Sequence, residues 1–181
     1  MKQKILVVVD MQNDFINEAL GTKEAEAIVP AVCEKIKNAI AEGAMVFATK
    51  DTHSDKYMNT REGRFLPVPH CIKGTHGWQI NDQVAEALGG ARVVEKYSFG
   101  SLQLPDTILE ALQIKGILPA DAEIELIGLC TDICVVSNAL ILKARFPETD
   151  IKADASCCAG VTPEKHNAAL ETMRSCQIEI I

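Results

Sequence analysis

Residues 127–135 read Ile-Gly-Leu-Cys-Thr-Asp-Ile-Cys-Val. They follow an apolar segment (Ile124, Leu126, Ile127) and precede an apolar-periodic one (Val135, Val136, Ala139, Leu140, Leu142). The hydrophobic period changes across the stretch, which predicts strand, tight turn and helix. Cys134 then falls in the first helical turn, where backbone N–H groups and the helix dipole favour a thiolate. A thiolate is a nucleophile, so the position suits a reactive cysteine, alkylated well below the pH at which an ordinary thiol reacts. A small buried hydrophobe is the other reading, because free cysteines are often core residues.

Outward from this unit, strands are predicted at 5–9, 45–48, 92–95, 123–127, 150–153 and 177–181. Helices are predicted at 29–41, with Pro30 in the first turn, and at 84–88, 105–112, 132–144 and 162–174, the last capped by Thr162 ahead of Pro163 and Glu164. Strands alternating with helices predict an α/β fold: one domain over 1–181, an open six-stranded parallel sheet with helices on both faces. The polar segment 50–79 interrupts the alternation and holds three of the four histidines, His53, His70 and His76. Loops of that length inside a domain are usually functional, so it is the expected ligand-binding segment.

The 181 residues fit one domain, and 48% hydrophobic residues supply its core. A net charge of −7 without any lysine/arginine block argues against nucleic acid as a partner. No apolar run reaches membrane-spanning length, and the N-terminal run is too short for a signal peptide and stops at a charge. The odd cysteine count of seven, without a CxxC pair, reads as a reduced cytoplasmic protein. The adjacent Cys157 and Cys158 are expected to be packing residues.

Asp10, Asp51, Lys96 and Cys134 each lie just past a predicted strand, where open α/β sheets bind ligands. Cysteine, carboxylate and lysine make a coherent set: the carboxylate takes the thiol proton and returns it to a leaving amine, while the ammonium stabilises negative charge. An Asp10–Lys96 ion pair bracing two loops is the bland alternative. Asp51, His53 and His70 have the ligand types of a divalent metal site, although two histidines in a long loop are common without one. Glu62 is either a further ligand or a solvated surface carboxylate. His76 reads as a loop residue and His166 as structural.

Five motifs, in order, resemble the isochorismatase-like cysteine hydrolases: Asp-Met-Gln-Asn-Asp-Phe (10–15), Asp-Thr-His (51–53), Pro-His-Cys-Ile-Lys-Gly-Thr-His-Gly (69–77), Glu-Lys-Tyr-Ser-Phe (95–99) and Gly-Leu-Cys-Thr-Asp-Ile-Cys-Val (128–135). Within that superfamily the chain is most similar to the nicotinamidases. The resemblance implies a catalytic triad of Asp10, Lys96 and Cys134, an oxyanion hole from the backbone N–H groups of Cys130 and Cys134, and a cis peptide at Leu129–Cys130. It implies one divalent metal on Asp51, His53 and His70, zinc first with iron or manganese as alternatives. It further implies hydrolysis of nicotinamide to nicotinate and ammonia in NAD salvage. Another small amide or N-carbamoyl substrate is the second reading, and a non-catalytic binding protein the third. Nicotinamidases place a tryptophan three residues before the second metal histidine; here that position is Pro67. The pocket walls are then expected to be Phe15, Phe65 and Leu66. A homo-oligomer is expected.

Overall fold

Parallel strands buried on both faces read as unbroken apolar runs, and β1 (Gln3–Val9) is one, with Ile5 to Val9 all buried. It is the central strand of a computed structural model that describes residues 2–181. The others are β2 (Met45–Asp51), β3 (Arg92–Lys96), β4 (Ala122–Leu129), β5 (Asp150–Ala159) and β6 (Glu179–Ile180). All pairings are parallel, in the order β3-β2-β1-β4-β5-β6. The order reverses direction between β1 and β4, so the crevice outside their carboxyl ends is where ligands bind in such sheets.

Helices α1 (Asn13–Ile16), α2 (Lys23–Ala41), α3 (Arg61–Phe65), α4 (Asp82–Leu88), α5 (Gln103–Ile114), α6 (Val136–Arg145) and α7 (Pro163–Ser175) link the strands. One sheet face packs Ile5, Val7, Ile124 and Leu126 against α5, α6 and α7. The other packs Leu6, Val8, Ile127 and Leu129 against α2 and α4. At the amino-terminal end of β4–β6 that second face is less completely covered. Ion pairs lie there: Lys35 with Glu125 (2.6 Å) and Asp154 (2.7 Å), and Lys152 with Glu123 (3.0 Å) and Glu179 (3.5 Å).

Among the departures from the sequence expectation are these three. α2 starts at Lys23 rather than 29, because the Thr22 side chain accepts from Ala25 N (3.0 Å); Pro30 therefore lies inside the helix, on its exposed side. β5 runs on to Ala159 through an irregularity: from Leu126↔Ala153 to Gly128↔Cys158, β4 advances two residues (128 − 126) and β5 five (158 − 153). The bulge is held by Asp154 Oδ1, which accepts from Ser156 N (2.9 Å) and Oγ (2.6 Å), and it sends Cys157 to one core and Cys158 to the other. Finally, residues 131–135 form a widened, π-helical turn before α6, in which the N–H groups of Ile133 (3.1 Å) and Val135 (3.0 Å) both donate to the Cys130 carbonyl.

Gly128 fixes the contact between β1 and β4 on which the crevice depends. Its φ is +117°, and a Cβ there would overlap the Val9 carbonyl oxygen, its register partner. Gly128→Ala is expected to destabilise the fold by about 3 kcal/mol or more, from backbone strain and overpacking together. Urea unfolding should show a lower midpoint with an unchanged slope; a loss below about 1 kcal/mol would mean that the strands can part without penalty.

Candidate active site

Lys96 ends β3 and is in register with Asp51 at the end of β2. Its ammonium is buried and lies 2.7 Å from Asp10 Oδ2 and 3.0 Å from Asp51 Oδ1, and it donates to Cys134 Sγ at 3.5 Å. Asp10 follows β1 in a left-handed conformation, φ +48°. Its second oxygen accepts from Thr49 Oγ1 (2.7 Å), which itself accepts from Asp10 N (3.2 Å). The ends of β1, β2 and β3 and the turn after β4 thus converge on one ammonium group.

Burial pushes the Cys134 thiol up; the Asp10 carboxylate adds to this, and Lys96 pulls the other way. Burial also raises Asp10 above the ordinary carboxylate range despite the opposing pull of Lys96. The Lys96 ammonium would lose charge through burial alone, but the Asp10 and Asp51 carboxylates outweigh that and hold it protonated. The resting site is therefore a neutral thiol beside a charged lysine. Burial at Cys134 thus opposes the thiolate that a helix start favours. Burial likewise lifts the Cys130 thiol, to about 12. The Leu129–Cys130 peptide is cis.

Asp51, His53 and His70 each offer one ligand atom, all within 4.8 Å of one another. His53 Nε2 is buried and 2.9 Å from Asp51 Oδ2, yet it makes no hydrogen bond. His70 Nδ1 donates to the Val68 carbonyl (2.8 Å), which leaves its Nε2 lone pair free for a cation. Glu62 Oε1 stands 3.6 Å from both Nε2 atoms. Two imidazole nitrogens converging on carboxylates, one nitrogen buried without a hydrogen bond, fit a divalent metal ion. The Tyr57 ring packs edge-on against both imidazoles, with centroids 4.8 Å from His53 and 5.0 Å from His70, and its hydroxyl donates to Leu66 O (2.9 Å).

A cavity of about 250 Å³ joins the two clusters; Asp51, Glu62, His70, Cys130 and Cys134 all line it. Phe15 and Leu66 also line it, and the Phe15 ring centroid is 5.5 Å from that of His70. Phe65 does not: it is 76% exposed, with the Arg61 guanidinium 5.1 Å from its ring centre. Consecutive helical residues point about 100° apart, so the last turn of α3 aims Phe65 at solvent and leaves Leu66 for the wall. Pro67 is exposed and outside the wall. Sequence reasoning missed Phe99, Ile133, Val161 and Lys165, which complete much of the rim.

It also missed the support given by Gln12, Asp14 and Asn138. Gln12 clamps Asp51 from both sides, accepting from Asp51 N (2.7 Å) and donating to Asp51 O (2.8 Å). Asp14 Oδ2 accepts from Cys71 N (2.6 Å), beside His70. The buried Asn138 donates to Cys134 O (2.8 Å) and Phe99 O (3.3 Å) and accepts from Ser101 N (2.9 Å), tying the turn of Cys134 to the loop after β3. Buried amide and carboxylate side chains one to four residues from a motif residue were the available signal. His76 faces Glu18 (2.6 Å) at the surface, and His166 Nδ1 lies 2.8 Å from Thr131 Oγ1.

A family model described as the isochorismatase domain matches residues 4–181. A nicotinamidase/pyrazinamidase of Mycobacterium tuberculosis is 29% identical over 189 residues, covering 98% of each chain. The solved nicotinamidase/pyrazinamidase of Bacillus subtilis superposes with a TM-score of 0.83 at 26% identity, covering 98% of each chain. The pyrazinamidase of Pyrococcus horikoshii, solved in complex with zinc, gives 0.79 at 27% identity, covering 99% of this chain and 98% of that one.

A neutral resting thiol has a direct consequence for alkylation. At pH 8, iodoacetamide should label Cys134 more slowly than the exposed Cys176, with labelling of Cys134 rising only at a pH above the ordinary thiol range of about 8.5. Peptide mass spectrometry reads both sites in one sample. Cys134 labelled faster than Cys176 at pH 7 would instead show a resting thiolate.

Proposed function

The chain belongs to the isochorismatase family, and we propose that within it this protein is a metal-dependent cysteine amidohydrolase converting nicotinamide and water to nicotinate and ammonia. The observation that carries this reading is the Lys96 ammonium held 2.7 Å from Asp10 and 3.5 Å from Cys134, whose side chain lines a cavity that also reaches His70 and Asp51. The nicotinamidase and pyrazinamidase relatives, alike over nearly the whole chain, support it.

In the proposed reaction, Asp10 takes the thiol proton as Cys134 Sγ attacks the amide carbonyl. A carboxyl lifted above its ordinary range is a better match for this transfer. Lys96 stays charged and offsets the anionic character that moves between Asp10 and Cys134. The N–H groups of Cys130 and Cys134 receive the developing oxyanion, a contribution of about 3 kcal/mol per donor. Collapse of the tetrahedral intermediate transfers the Asp10 proton to the departing ammonia and leaves a Cys134 thioester. Asp10 then takes a proton from water, the hydroxide attacks the thioester carbonyl, and the proton returns to Cys134 as the acid is released. Asp51, His53 and His70, with Glu62 beside them, would hold the divalent metal, for which we propose zinc. When bound, it supplies a Lewis-acid anchor for the ring nitrogen, and no nucleophile. Phe15 packs on one ring face. Such an activity would serve NAD salvage.

Pro67 outside the cavity wall favours a second reading, an amidase for other small amides or N-carbamoyl compounds, because the tryptophan face of nicotinamidases is missing. The test is ammonia release from nicotinamide, pyrazinamide, an aliphatic amide and an N-carbamoyl amino acid, with and without a chelator. Nicotinamide turnover with a raised KM is expected, since one lost aromatic contact of about 0.5–1.5 kcal/mol weakens binding roughly threefold to tenfold. A preference above about tenfold for either non-ring substrate would select the second reading. Cys134→Ala should abolish turnover, and Cys130→Ala should be far milder because its proposed part is its backbone. Equal loss in both would overturn the nucleophile assignment, and unchanged turnover of the metal-free protein would overturn the anchor.

A further inference from the structure

His166 is a half-buried imidazole that the proposed reaction leaves without a task. It stands near the start of α7, and its Nδ1 lies 2.8 Å from Thr131 Oγ1. Thr131 is fully buried, and among the described residues its hydroxyl has no other hydrogen-bond partner. A buried hydroxyl proton needs an acceptor. Nδ1 accepts it when the ring proton is on Nε2, so the contact assigns that tautomer to His166, with Thr131 donating. Burial keeps the ring neutral, lowering its proton affinity against the pull of Asp132.

Thr131 opens the widened turn 131–135 and lies between Cys130 and Cys134, whose N–H groups are the proposed oxyanion donors. Widened turns of this kind are rare and recur at functional sites. From within, the turn is held by the two N–H groups that meet the Cys130 carbonyl. From outside, it is held by the loop and helix that follow β5: Val161 N donates to Asp132 Oδ1 (2.9 Å), and His166 takes the Thr131 hydroxyl. Gly160 permits this close approach, because a Cβ there would lie 2.8 Å from both Asp132 Oδ1 and His166 N. Placement matters here, since a misplacement of about 1 Å in a catalytic constellation costs on the order of 100-fold in rate.

We propose that His166 is a positioning residue: by accepting the Thr131 hydroxyl, it fixes the turn that presents the backbone N–H groups of Cys130 and Cys134 to the developing oxyanion. It lies outside the cavity wall and acts through Thr131. This deepens the amidohydrolase reading of Cys134 and rests on it.

The test is a double-mutant cycle, read on whichever amide of the panel above is turned over fastest. His166→Leu removes the acceptor, and Thr131→Val removes the donor at nearly constant shape. Each should lower kcat by about tenfold or more with KM within about twofold, because the interaction lost serves the transition state. The double variant should be no slower than the slower single one, since both break the same bond. His166→Asn, whose amide oxygen stands in for Nδ1, should keep kcat within about threefold of wild type. Additive losses, a loss confined to KM, or equal loss in His166→Asn and His166→Leu would overturn the proposal. Where Thr131→Val does not fold, the contrast between His166→Leu and His166→Asn decides alone. Iodoacetamide labelling of Cys134, with the exposed Cys176 as internal reference, adds a readout that needs no turnover. A loosened turn uncovers the thiol, so His166→Leu should label Cys134 about fivefold faster than wild type, and His166→Asn should match wild type. If the wild type hydrolyses an amide and His166→Leu matches it in kcat, the His166 assignment fails and the amidohydrolase reading stands. If no amide is hydrolysed but His166→Leu alone speeds labelling, that reading falls and His166 remains the residue that sets the turn. If neither contrast appears, both fall.

Discussion

An ammonium group buried among two carboxylates and a thiol is the constraint from which the site follows. Lys96 has no route to water, so its charge persists only while Asp10 and Asp51 stay beside it. That requirement draws the ends of three adjacent strands to one point and sets the thiol of the next strand's turn against it. Such an arrangement is poor value as a source of stability, because apolar residues of similar volume often serve as well or better. Its consequence is chemical: the proton affinities of Asp10, Lys96 and Cys134 become mutually dependent, so a proton can move among them without a charge being created in an apolar space.

The rest of the site is held by one short stretch after β1. Asp10 meets Lys96, Gln12 fixes the backbone of Asp51, and Asn13 donates to the His76 carbonyl (3.0 Å). Asp14 caps the backbone at Cys71, and Phe15 faces the cavity and His70. Met11 is buried in the core between them. Six consecutive residues thus position the Asp10 carboxylate, both flanks of the segment that carries His53 and His70, and one cavity wall. In the polar stretch after β2, these side chains meet the Cys71 N–H and the His76 and Trp78 carbonyls.

This explains what could be read from the sequence and what could not. The alternation of apolar runs with helical periodicity was sufficient for the parallel α/β sheet, and residues just past strand ends converge because such sheets gather them. The start of α2 was hidden by Pro30, whose usual place in a first turn outweighed the Thr22 cap. The length of β5 was hidden by its bulge, which breaks the two-residue period after Ala153. The orientation of Phe65 depended on where a five-residue helix ends, a detail below the resolution of hydrophobic patterning. Cys134 was read as a helix-start thiol, whereas its environment is set by burial against Asp10, a long-range contact that no local pattern encodes.

The anchoring of the turn of Cys134 to the start of α7 has a consequence for the newly made chain. Synthesis runs from the amino terminus, and domains complete themselves as their last elements emerge. When Cys134 first leaves the ribosome, Val161 and His166 are still inside it, so Asp132 and Thr131 have nothing to hold. The lysine, both carboxylates and the thiol are all present by then, yet the turn that aims the thiol is untethered. The geometry described for the site is therefore acquired at the end of translation, after the last helix docks, and a chain truncated before residue 160 would carry Asp10, Lys96 and Cys134 without the frame that aligns them.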